Sequence, residues 1–346
     1  MIKINYENTR ELQKNKEKMV LEVRDLHVTF KTYGGTVQAV RGVSFDVYQG
    51  ETLAIVGESG CGKSVTSSAI MGLIPTPPGE ITKGQVIFKG KELTRLSKKE
   101  LRKIRGSDIS MIFQDPMTAL NPTLTVEEQL TEGIKQHKSI SSAEAKKKAI
   151  EMMKLVGIPN PTERMKQYPH QFSGGMRQRI VIAIALMCEP ELLIADEPTT
   201  ALDVTIQAQI LELFEEIQEK TGVAIILITH DLGVVAKIAD RIAVMYAGKI
   251  IESGTKREIF YKPNHPYTQG LLHSVPRLDL KGKALEPIEG TPPDLFAPPA
   301  GCPFTARCPH AMEVCEKVMP RSESLSSTHS VDCWLLDERA EGMRLA

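Results

Sequence analysis

The sequence predicts an α/β fold with a parallel β-sheet at its core, an antiparallel layer and a helical insertion. The first observation is a continuous apolar run, Thr52–Val56, that leads into a glycine-rich loop and a helical pattern. Such a run is typical of a buried parallel strand. The second is alternation of apolar and polar residues over 21–24, 28–31 and 43–48, which indicates antiparallel strands with one wet face. The third is helical spacing, uninterrupted by a strand pattern, over 125–168.

The glycine-rich loop matches the phosphate-loop pattern GxxxxGK[ST], and it has the strand before it and the helix after it that this pattern requires. Its glycines let successive backbone amides point at phosphate oxygens, and a helix N-terminus favours an anion. We expect Lys63 to reach the β- and γ-phosphates and Ser64 to ligate Mg²⁺. The alternative, a glycine-rich turn without a ligand, does not explain the flanking elements. The loop is Gly57-Glu58-Ser59-Gly60-Cys61-Gly62-Lys63-Ser64, followed by Val65.

Polar side chains are predicted at the ends of three further strands. Asp196 and Glu197 close an apolar run, Gln114 follows another, and His230 follows a third. Ligands of an open parallel sheet bind beyond the carboxyl ends of its strands, so we expect these side chains near the phosphates. Asp196 suits a Mg²⁺ shell, and Glu197 could orient and deprotonate a water. Solvated turn residues and a surface amide are the alternatives.

A second helix N-terminus is predicted where Ser173-Gly174-Gly175 precedes an apolar helix at Ile180–Met187. Freed amides at such a position make a second anion site, which one chain with one nucleotide does not obviously need. Asp203 leads into another helix, as an N-cap or as an interface residue. Tyr33, on a turn, is the candidate for stacking on a nucleotide base, with Phe30 in reserve; both could also be ordinary strand aromatics.

Composition narrows the classes of function. Lys plus Arg and Asp plus Glu both total 43, so there is no basic excess of the kind that favours nucleic-acid binding. The longest apolar runs are far below the ~20 residues that span a bilayer. No basic-then-apolar leader is present, so we expect no secretion and a cytoplasmic location. There, cysteines are more often metal ligands or plain thiols than disulfides.

Four of the six cysteines fall in one C-terminal segment, with gaps of five, six and seventeen residues. These gaps fit neither the cysteine pairs of zinc ribbons nor the tight run of ferredoxins. A proline-rich segment with little apolar content needs a cross-link, such as a bound metal or a disulfide, to be stable. From the spacing, zinc, an iron–sulfur cluster, and thiols or disulfides all stay open. The four are Cys302, Cys308, Cys315 and Cys333, whereas Cys61 and Cys188 are expected to be inert.

Taken in chain order, these features resemble the ATP-binding subunit of an ABC transporter over about residues 19–260. The family signature is usually LSGGQ; here Phe replaces its Leu and Met its Gln, while the Ser and both Gly are kept. The matching residues are the phosphate loop 57–64, Gln114, Phe172-Ser173-Gly174-Gly175-Met176, Asp196-Glu197, Asp203 and His230.

The resemblance implies an ABC-type nucleotide-binding domain, with a RecA-like core, that hydrolyses ATP to ADP and phosphate. In this family two subunits face each other head to tail, and the Ser-Gly-Gly segment of one closes the ATP bound by the other. Mg²⁺ would be held by Ser64, Gln114 and Asp196, and hydrolysis would use Glu197, His230 and Gln114. The implied nucleotide contacts are Tyr33, the loop through Val65, Ser173, Gly174, Gly175 and Asp203.

The C-terminal motifs resemble the tail of dipeptide and oligopeptide (DppD/OppD-like) importer ATPases. They are Tyr261–Thr268, Gly301-Cys302-Pro303-Phe304 and Arg307-Cys308-Pro309. The resemblance implies a [4Fe–4S] cluster on the four cysteines, with zinc as the alternative. It also implies a sister ATP-binding subunit, giving a heterodimer, two transmembrane permease subunits, an extracytoplasmic peptide-binding protein and a place at the cytoplasmic face of the membrane.

Three alternatives remain open. Nickel importers share the tail, so the chain could power nickel import. A soluble ABC ATPase acting on nucleic acid or ribosomes is disfavoured, because such proteins tend to carry a long coiled-coil insertion or two ATPase units. A degenerate regulatory subunit is disfavoured by intact Glu197 and His230.

The expected domains are a flexible arm, an ATPase domain with an inserted helical subdomain, and a C-terminal extension that forms a small Cys-rich domain. Arg241–Tyr246 is expected to be the last strand. The boundaries are 1–18, 19–260 with the insertion at about 115–178, and 261–346.

Overall fold

The computed structural model describes residues 19–114, 116–200, 202–274 and 287–343. The predicted arm, residues 1–18, lies outside this part of the chain. The chain divides into two compact units. Of the described residues, unit 1 contains those within 19–22, 45–52 and 86–226, and unit 2 contains those within 23–44, 53–85 and 227–343.

The strands of the described residues are β1 (Met19–Thr32), β2 (Gly35–Tyr48), β3 (Thr52–Val56), β4 (Gly79–Phe88), β5 (Lys91–Glu92), β6 (Ile109–Ile112), β7 (Leu192–Asp196), β8 (Ala224–Thr229), β9 (Arg241–Tyr246), β10 (Lys249–Thr255), β11 (Glu323–Ser324) and β12 (Ser330–Val331).

The α-helices of the described residues are α1 (Lys63–Ile70), α2 (Lys98–Ile104), α3 (Pro116–Ala119), α4 (Val126–His137), α5 (Ser142–Leu155), α6 (Pro161–Arg164), α7 (Gly174–Leu186), α8 (Val204–Thr221), α9 (Leu232–Ile238), α10 (Lys256–Tyr261), α11 (Pro266–His273) and α12 (Glu313–Lys317). None of these helices is long and apolar enough to cross a lipid bilayer.

The sheet of unit 2 places the phosphate-loop strand beside a parallel neighbour. β3 pairs with β9 in parallel register, with Leu53 opposite Arg241 and Val56 opposite Val244. From β9 the sheet continues outward through β10, β12 and β11. All five residues of β3 are buried, as expected of a central strand that is covered on both faces.

The prediction that β9 is the last strand is wrong. β10 pairs with β9 in antiparallel register, and β12 then pairs with β10. The turn between β9 and β10 is Ala247-Gly248, with φ of 46° and 80°. Positive φ at both positions suits a two-residue hairpin turn, but Asn, Asp or Gly is usual at the first of them. Gly248 gives a turn signal, but Ala247 at the first position gives none, so the pattern of a tight hairpin is incomplete.

The core of unit 2 includes part of the C-terminal segment. Buried side chains of β3, β9 and α9 form one cluster with Cys302, Phe304 and Cys315. The predicted separate Cys-rich domain is thus not supported. These C-terminal side chains are buried with side chains of the sheet instead of enclosing a core of their own.

Unit 1 contains the predicted helical region. Between Pro116 and Leu186 the described residues form helices and no strand, and α4, α5 and α7 pack on one another. Capping boxes begin α4 at Thr125 and α5 at Ser141, because each hydroxyl accepts from an amide whose glutamate reaches back. In the same unit β6 and β7 pair in parallel, with Ile109 opposite Leu192.

The predicted antiparallel layer is present, with longer strands than the sequence indicated. β1 and β2 are each 14 residues long and are joined by a turn at residues 33–34. Each of the strands β1, β2 and β4 contributes residues to both units. In both units β1 lies between β2 and β4. The two alternating segments predicted at 21–24 and 28–31 are one continuous strand.

Candidate active site and cysteine cavity

The phosphate loop has two positions that only glycine can occupy. Gly57 has φ of 152°, and a Cβ built on it would lie 2.1 Å from the carbonyl oxygen of Met245. Gly62 has φ of 103°, and its Cβ would lie 2.4 Å from the carbonyl oxygen of Ala39. Since real Cβ atoms do not approach backbone oxygens so closely, both glycines are needed for the loop to pass its neighbours. Gly60, in contrast, has open space beside it.

The Lys63 side chain folds back over this loop. It is 5% exposed, and its Nζ donates to the carbonyl oxygens of Gly57 at 2.8 Å and Glu58 at 3.0 Å. These oxygens hold the ammonium at the mouth of α1, where a phosphate oxygen could replace them as acceptors. The Cys61 thiol lies beside Lys63 and is buried, and this burial raises its pKa. A protonated, buried thiol agrees with the expectation that Cys61 is inert.

Glu58 differs from the expectation that successive loop amides point at phosphate. Its backbone N–H donates to the hydroxyl of Tyr267 at 2.9 Å. Its carboxylate is held by Arg307, with Nη1–Oε2 2.6 Å and Nη2–Oε1 2.9 Å. Both groups of Glu58 are therefore engaged by the C-terminal part of unit 2.

Three further predicted site residues also belong to unit 2. Tyr33 is fully exposed on the turn between β1 and β2. Phe30 is half-buried, and its ring lies against Gly79. His230 follows β8 directly and is exposed. The next residue, Asp231, caps α9 by accepting from the amides of residues 233 and 234.

In unit 1 the structure brings together two of the predicted catalytic residues. Gln114 Nε2 donates to Glu197 Oε2 at 3.1 Å, and Thr200 Oγ1 donates to the same oxygen at 2.9 Å. Glu197 has φ of 49°, a left-handed conformation that is uncommon for a non-glycine residue and often marks a functional site. Asp196, the last residue of β7, is 5% exposed. Two hydrogen-bond donors therefore hold one oxygen of the Glu197 carboxylate in place.

The Ser-Gly-Gly segment begins a helix, as predicted. Ser173 is the N-cap of α7 and accepts from the Met176 amide, and Gly174 and Gly175 form its first turn. Phe172 is 3% exposed, so the first signature position is an apolar anchor that Phe can fill as Leu does. A Cβ on Gly175 would lie 2.8 Å from the Ile206 side chain. Close packing therefore explains that glycine.

Asp203 is an N-cap, one of its two predicted roles. Its carboxylate accepts from the Ile206 amide at 2.9 Å at the start of α8. Its predicted interface role stays a prediction. The predicted site residues fall in both units: the phosphate loop, Tyr33, His230 and the four C-terminal cysteines lie in unit 2, and the others lie in unit 1.

All four C-terminal cysteines line one cavity of unit 2. Its interior leaves about 10 Å³ free, room for about one water molecule as the side chains stand. The cysteines are unpaired, so the disulfide alternative is not seen. Burial raises the pKa of Cys302 to about 11 and of Cys333 to about 12, and nearby cysteines add to both shifts. The other lining residues are His265, Pro266, Phe304, Thr305, His310, Trp334 and Leu335.

The thiols do not form a single-ion site as they stand. Among the described residues, no group of three or more His, Cys, Asp or Glu is arranged to hold a metal ion. The lining His265 is engaged elsewhere: its Nδ1 accepts from the Tyr267 amide at 3.0 Å, and burial lowers its pKa to about 3.

Sequence reasoning missed three residues that shape the site. Thr200 orients Glu197, while Tyr267 and Arg307 hold Glu58. Thr200 lies close to the carboxylate pair, and a search for hydroxyls after that pair could have found it. No spacing rule connects Glu58 with residues more than 200 positions away.

Comparisons with known proteins agree with these observations. A model of the ABC transporter family matches residues 40–200. A model of the oligopeptide/dipeptide transporter C-terminal region matches residues 251–315.

Curated relatives match nearly the whole chain. The dipeptide transport ATP-binding protein DppD of Bacillus subtilis is 70% identical over 93% of this chain and 96% of its own length. The oligopeptide transport ATP-binding protein OppD of the same organism is 60% identical over 92% of this chain and 89% of its own.

Solved structures match the ATPase part. The ATP-binding cassette MJ0796, in a dimeric post-hydrolysis state bound to ADP and phosphate, has a TM-score of 0.62 at 29% identity and covers 68% of this chain and 99% of its own. The cbiO1 protein of Clostridium perfringens, part of the ABC transporter complex cbiONQ, has a TM-score of 0.61 at 30% identity, over 71% of this chain and 92% of its own.

Proposed function

The chain belongs to the family of ATP-binding proteins of peptide ABC transporters, and we propose that it hydrolyses ATP to power the import of dipeptides or oligopeptides. The observation that carries the proposal is the 70% identity to a dipeptide transport ATP-binding protein over nearly the full length of both chains. The phosphate loop and the aimed Glu197 carboxylate supply the chemistry that such an activity needs.

In this proposal the phosphate loop binds the triphosphate of ATP. Lys63 exchanges the carbonyl oxygens of Gly57 and Glu58 for phosphate oxygens when ATP binds. Ser64, Gln114 and Asp196 would hold Mg²⁺, which would neutralise part of the phosphate charge. Tyr33 stacks on the base.

The hydrolytic step is assigned to Glu197, which accepts a proton from the attacking water. The hydrogen bonds from Gln114 and Thr200 keep one of its oxygens fixed and support this assignment. His230 contacts the γ-phosphate.

A second ATP-binding subunit completes the site. Its Ser173-Gly174-Gly175 counterpart would present a helix N-terminus to the ATP held by this chain, and Asp203 would lie at that interface. We propose a sister chain, giving a heterodimer. The dimeric state of the ATP-binding cassette MJ0796 supports the pairing of two cassettes.

The other partners follow from the family. Two permease subunits in the membrane and an extracytoplasmic peptide-binding protein complete the importer, so the chain is peripheral at the cytoplasmic face. We retain 19–260 as the ATPase domain, with its helical subdomain at about 115–178, and 261–346 as the C-terminal extension.

A mutation at Glu197 tests the ATPase proposal. We expect Glu197→Gln to lower the hydrolysis rate by about 100-fold to 10,000-fold, the usual contribution of a general base, while ATP binding is kept. The matched control is Glu191→Gln. Glu191 lies just before the other end of β7, is 46% exposed and pairs with Lys89 on the surface. Hydrolysis by Glu197→Gln at the rate of the control would contradict the assigned role.

For the cysteine cavity we propose an iron–sulfur cluster held by Cys302, Cys308, Cys315 and Cys333, with zinc as the alternative. The shared cavity and the unpaired thiols support it. Because the bound form needs thiolates, loading releases protons and weakens as the pH falls. The bound group would tie together segments that are distant in the chain.

Anaerobic purification, metal analysis and a visible spectrum decide between the two groups. We expect brown protein with iron and sulfide, lost in Cys308→Ser and kept in Cys188→Ser, whose cysteine is buried outside the cavity. A colourless protein with stoichiometric zinc would contradict the cluster.

A further inference from the structure

The Glu58–Arg307 pair joins the phosphate loop to the C-terminal segment by a two-pronged contact. Both guanidinium nitrogens at the tip of Arg307 donate to the carboxylate, one to each oxygen, at 2.6 and 2.9 Å. The Arg307 side chain is 4% exposed, and the Glu58 side chain is 26% exposed. A partly buried pair with this two-pronged geometry is less screened than a surface ion pair.

Arg307 is itself fixed on every side. Its Nε donates to the Glu289 carbonyl, and its two terminal nitrogens donate further to the Ile288 carbonyl and the Tyr246 hydroxyl. The guanidinium also lies over the rings of Tyr246 and Phe304, at 5.8 and 5.9 Å. The contacts number five, which equals the donors of a guanidinium, so the orientation of the fork is fully specified.

We propose that Arg307 is a positioning residue of the phosphate loop, which neutralises the Glu58 carboxylate and holds it away from the triphosphate. The inference rests on the proposed role of this loop in binding ATP. A carboxylate one residue after Gly57 would repel phosphate oxygens if it were free to turn toward them. The fork removes that freedom, and the bond from the Glu58 amide to Tyr267 fixes the backbone beside it.

The same backbone turn carries a wall of the cysteine cavity. The amides of Arg307 and Cys308 donate to the carbonyls of Phe304 and Thr305, so this short stretch is one continuous turn. The cavity is lined by Phe304, Thr305 and Cys308 of this turn, while Arg307 of the same turn binds Glu58 of the phosphate loop. A displacement of the cavity wall would therefore move the group that holds Glu58.

The test is the affinity of the full chain for ATP with Mg²⁺, measured by titration calorimetry at a temperature where every variant is folded. We expect Arg307→Gln to bind ATP about tenfold more weakly, since it leaves an unpaired carboxylate beside the phosphates. Adding Glu58→Gln removes that charge and is expected to restore the affinity to within about twofold of wild type. A purely structural role predicts no such rescue.

Arg339→Gln is the matched control. Arg339 also makes a two-pronged contact with a carboxylate in the C-terminal segment, that of Asp337, but it is 85% exposed. We expect this variant to bind ATP as wild type does. Should Arg307→Gln not fold, Arg307→Lys keeps the charge without the fork, and we expect weaker binding that Glu58→Gln again restores.

Two results would overturn the inference. One is unchanged ATP affinity in Arg307→Gln, or in Arg307→Lys where that variant is used. The other is a double variant that binds as weakly as the single Arg307 variant. Failure of the wild-type chain to bind ATP would instead contradict the proposed function, and with it the inference, so the two failures are distinguishable.

Discussion

The phosphate loop and the cysteine cavity belong to the same unit, but they are assembled from different ranges of the chain. The loop is eight consecutive residues between one strand and one helix, and Lys63 closes it with bonds to its own carbonyls. The cavity collects side chains from residues 265 to 335, across several turns and short helices. The comparison shows that one site is encoded locally and the other depends on distant contacts.

The phosphate loop and the cysteine cavity nevertheless share one feature, a glycine that packs closely against a backbone carbonyl oxygen. A Cβ on Gly57 would meet the Met245 oxygen at 2.1 Å, and a Cβ on Gly301 would meet the Cys315 oxygen at 2.1 Å. At Gly301 the Cys302 amide also donates to that same oxygen, at 2.7 Å. Each region therefore has a position where backbone meets backbone, and the phosphate loop has a second one at Gly62.

The largest predicted effect comes from filling these two positions. We expect Gly57→Ala and Gly301→Ala each to lower the free energy of unfolding by more than roughly 3 kcal/mol, because backbone must shift in both. Gly60→Ala is the control. It has φ of 78° with open space around its Cβ, and should cost only about 1 kcal/mol of conformational strain. Denaturant unfolding measures all three, and equal effects at Gly57 and Gly60 would contradict the packing argument.

The next effect tests the contact between the two regions. Tyr267→Phe removes the acceptor of the Glu58 amide, and we expect it to cost about 1 kcal/mol, the lower end of the penalty for an unsatisfied donor, because this donor is partly buried. Tyr261→Phe, at a 67% exposed position, should change stability by less than about 0.5 kcal/mol. If thermal unfolding gives the same midpoint for both variants, the Tyr267 hydroxyl does not hold the loop.

Two helix N-caps in unit 1 allow an effect on helix stability to be distinguished from an effect on ATP hydrolysis. Ser173→Ala and Thr125→Ala each remove an N-cap hydroxyl, so both should cost about 1 kcal/mol. In the assembled transporter only Ser173→Ala should also slow ATP hydrolysis, by roughly tenfold for one lost phosphate hydrogen bond. Equal ATPase rates for the two variants would show that Ser173 acts only as a helix cap and does not contact phosphate.

The smallest predicted effect is the coupling from cavity to loop. We expect Cys308→Ser to weaken ATP binding by about 0.5 kcal/mol in the wild-type background, because it alters the turn that carries Arg307. In the Arg307→Gln background the same change should have no effect. Calorimetric titration of the four chains gives the coupling energy, and purely additive losses would show that cavity and loop act independently.

Most of the strands and the site motifs could be predicted from the sequence, because their signals are local. Thr52–Val56 and Arg241–Tyr246 have the bounds that their apolar runs indicated. The carboxylates after β7 and the cap at Ser173 also follow from short patterns. In each case the residues that make the structure lie within a few positions of one another.

The contacts of Glu58 could not be predicted, since they join residues more than 200 positions apart. Nothing at Glu58 indicates that its carboxylate meets Arg307 and its amide meets Tyr267. The strand Lys249–Thr255 was missed for a different reason, because Ala247 occupies a turn position that usually carries a stronger signal. Burial of Phe304 with the sheet likewise depends on tertiary packing.

The most direct test of the account is ATP-dependent uptake of a labelled dipeptide into proteoliposomes that contain the chain with its copurifying membrane subunits and binding protein. The account predicts uptake with ATP on the side of this chain, and its loss in Glu197→Gln. Uptake of nickel without peptide, or peptide uptake that Glu197→Gln leaves unchanged, would contradict it.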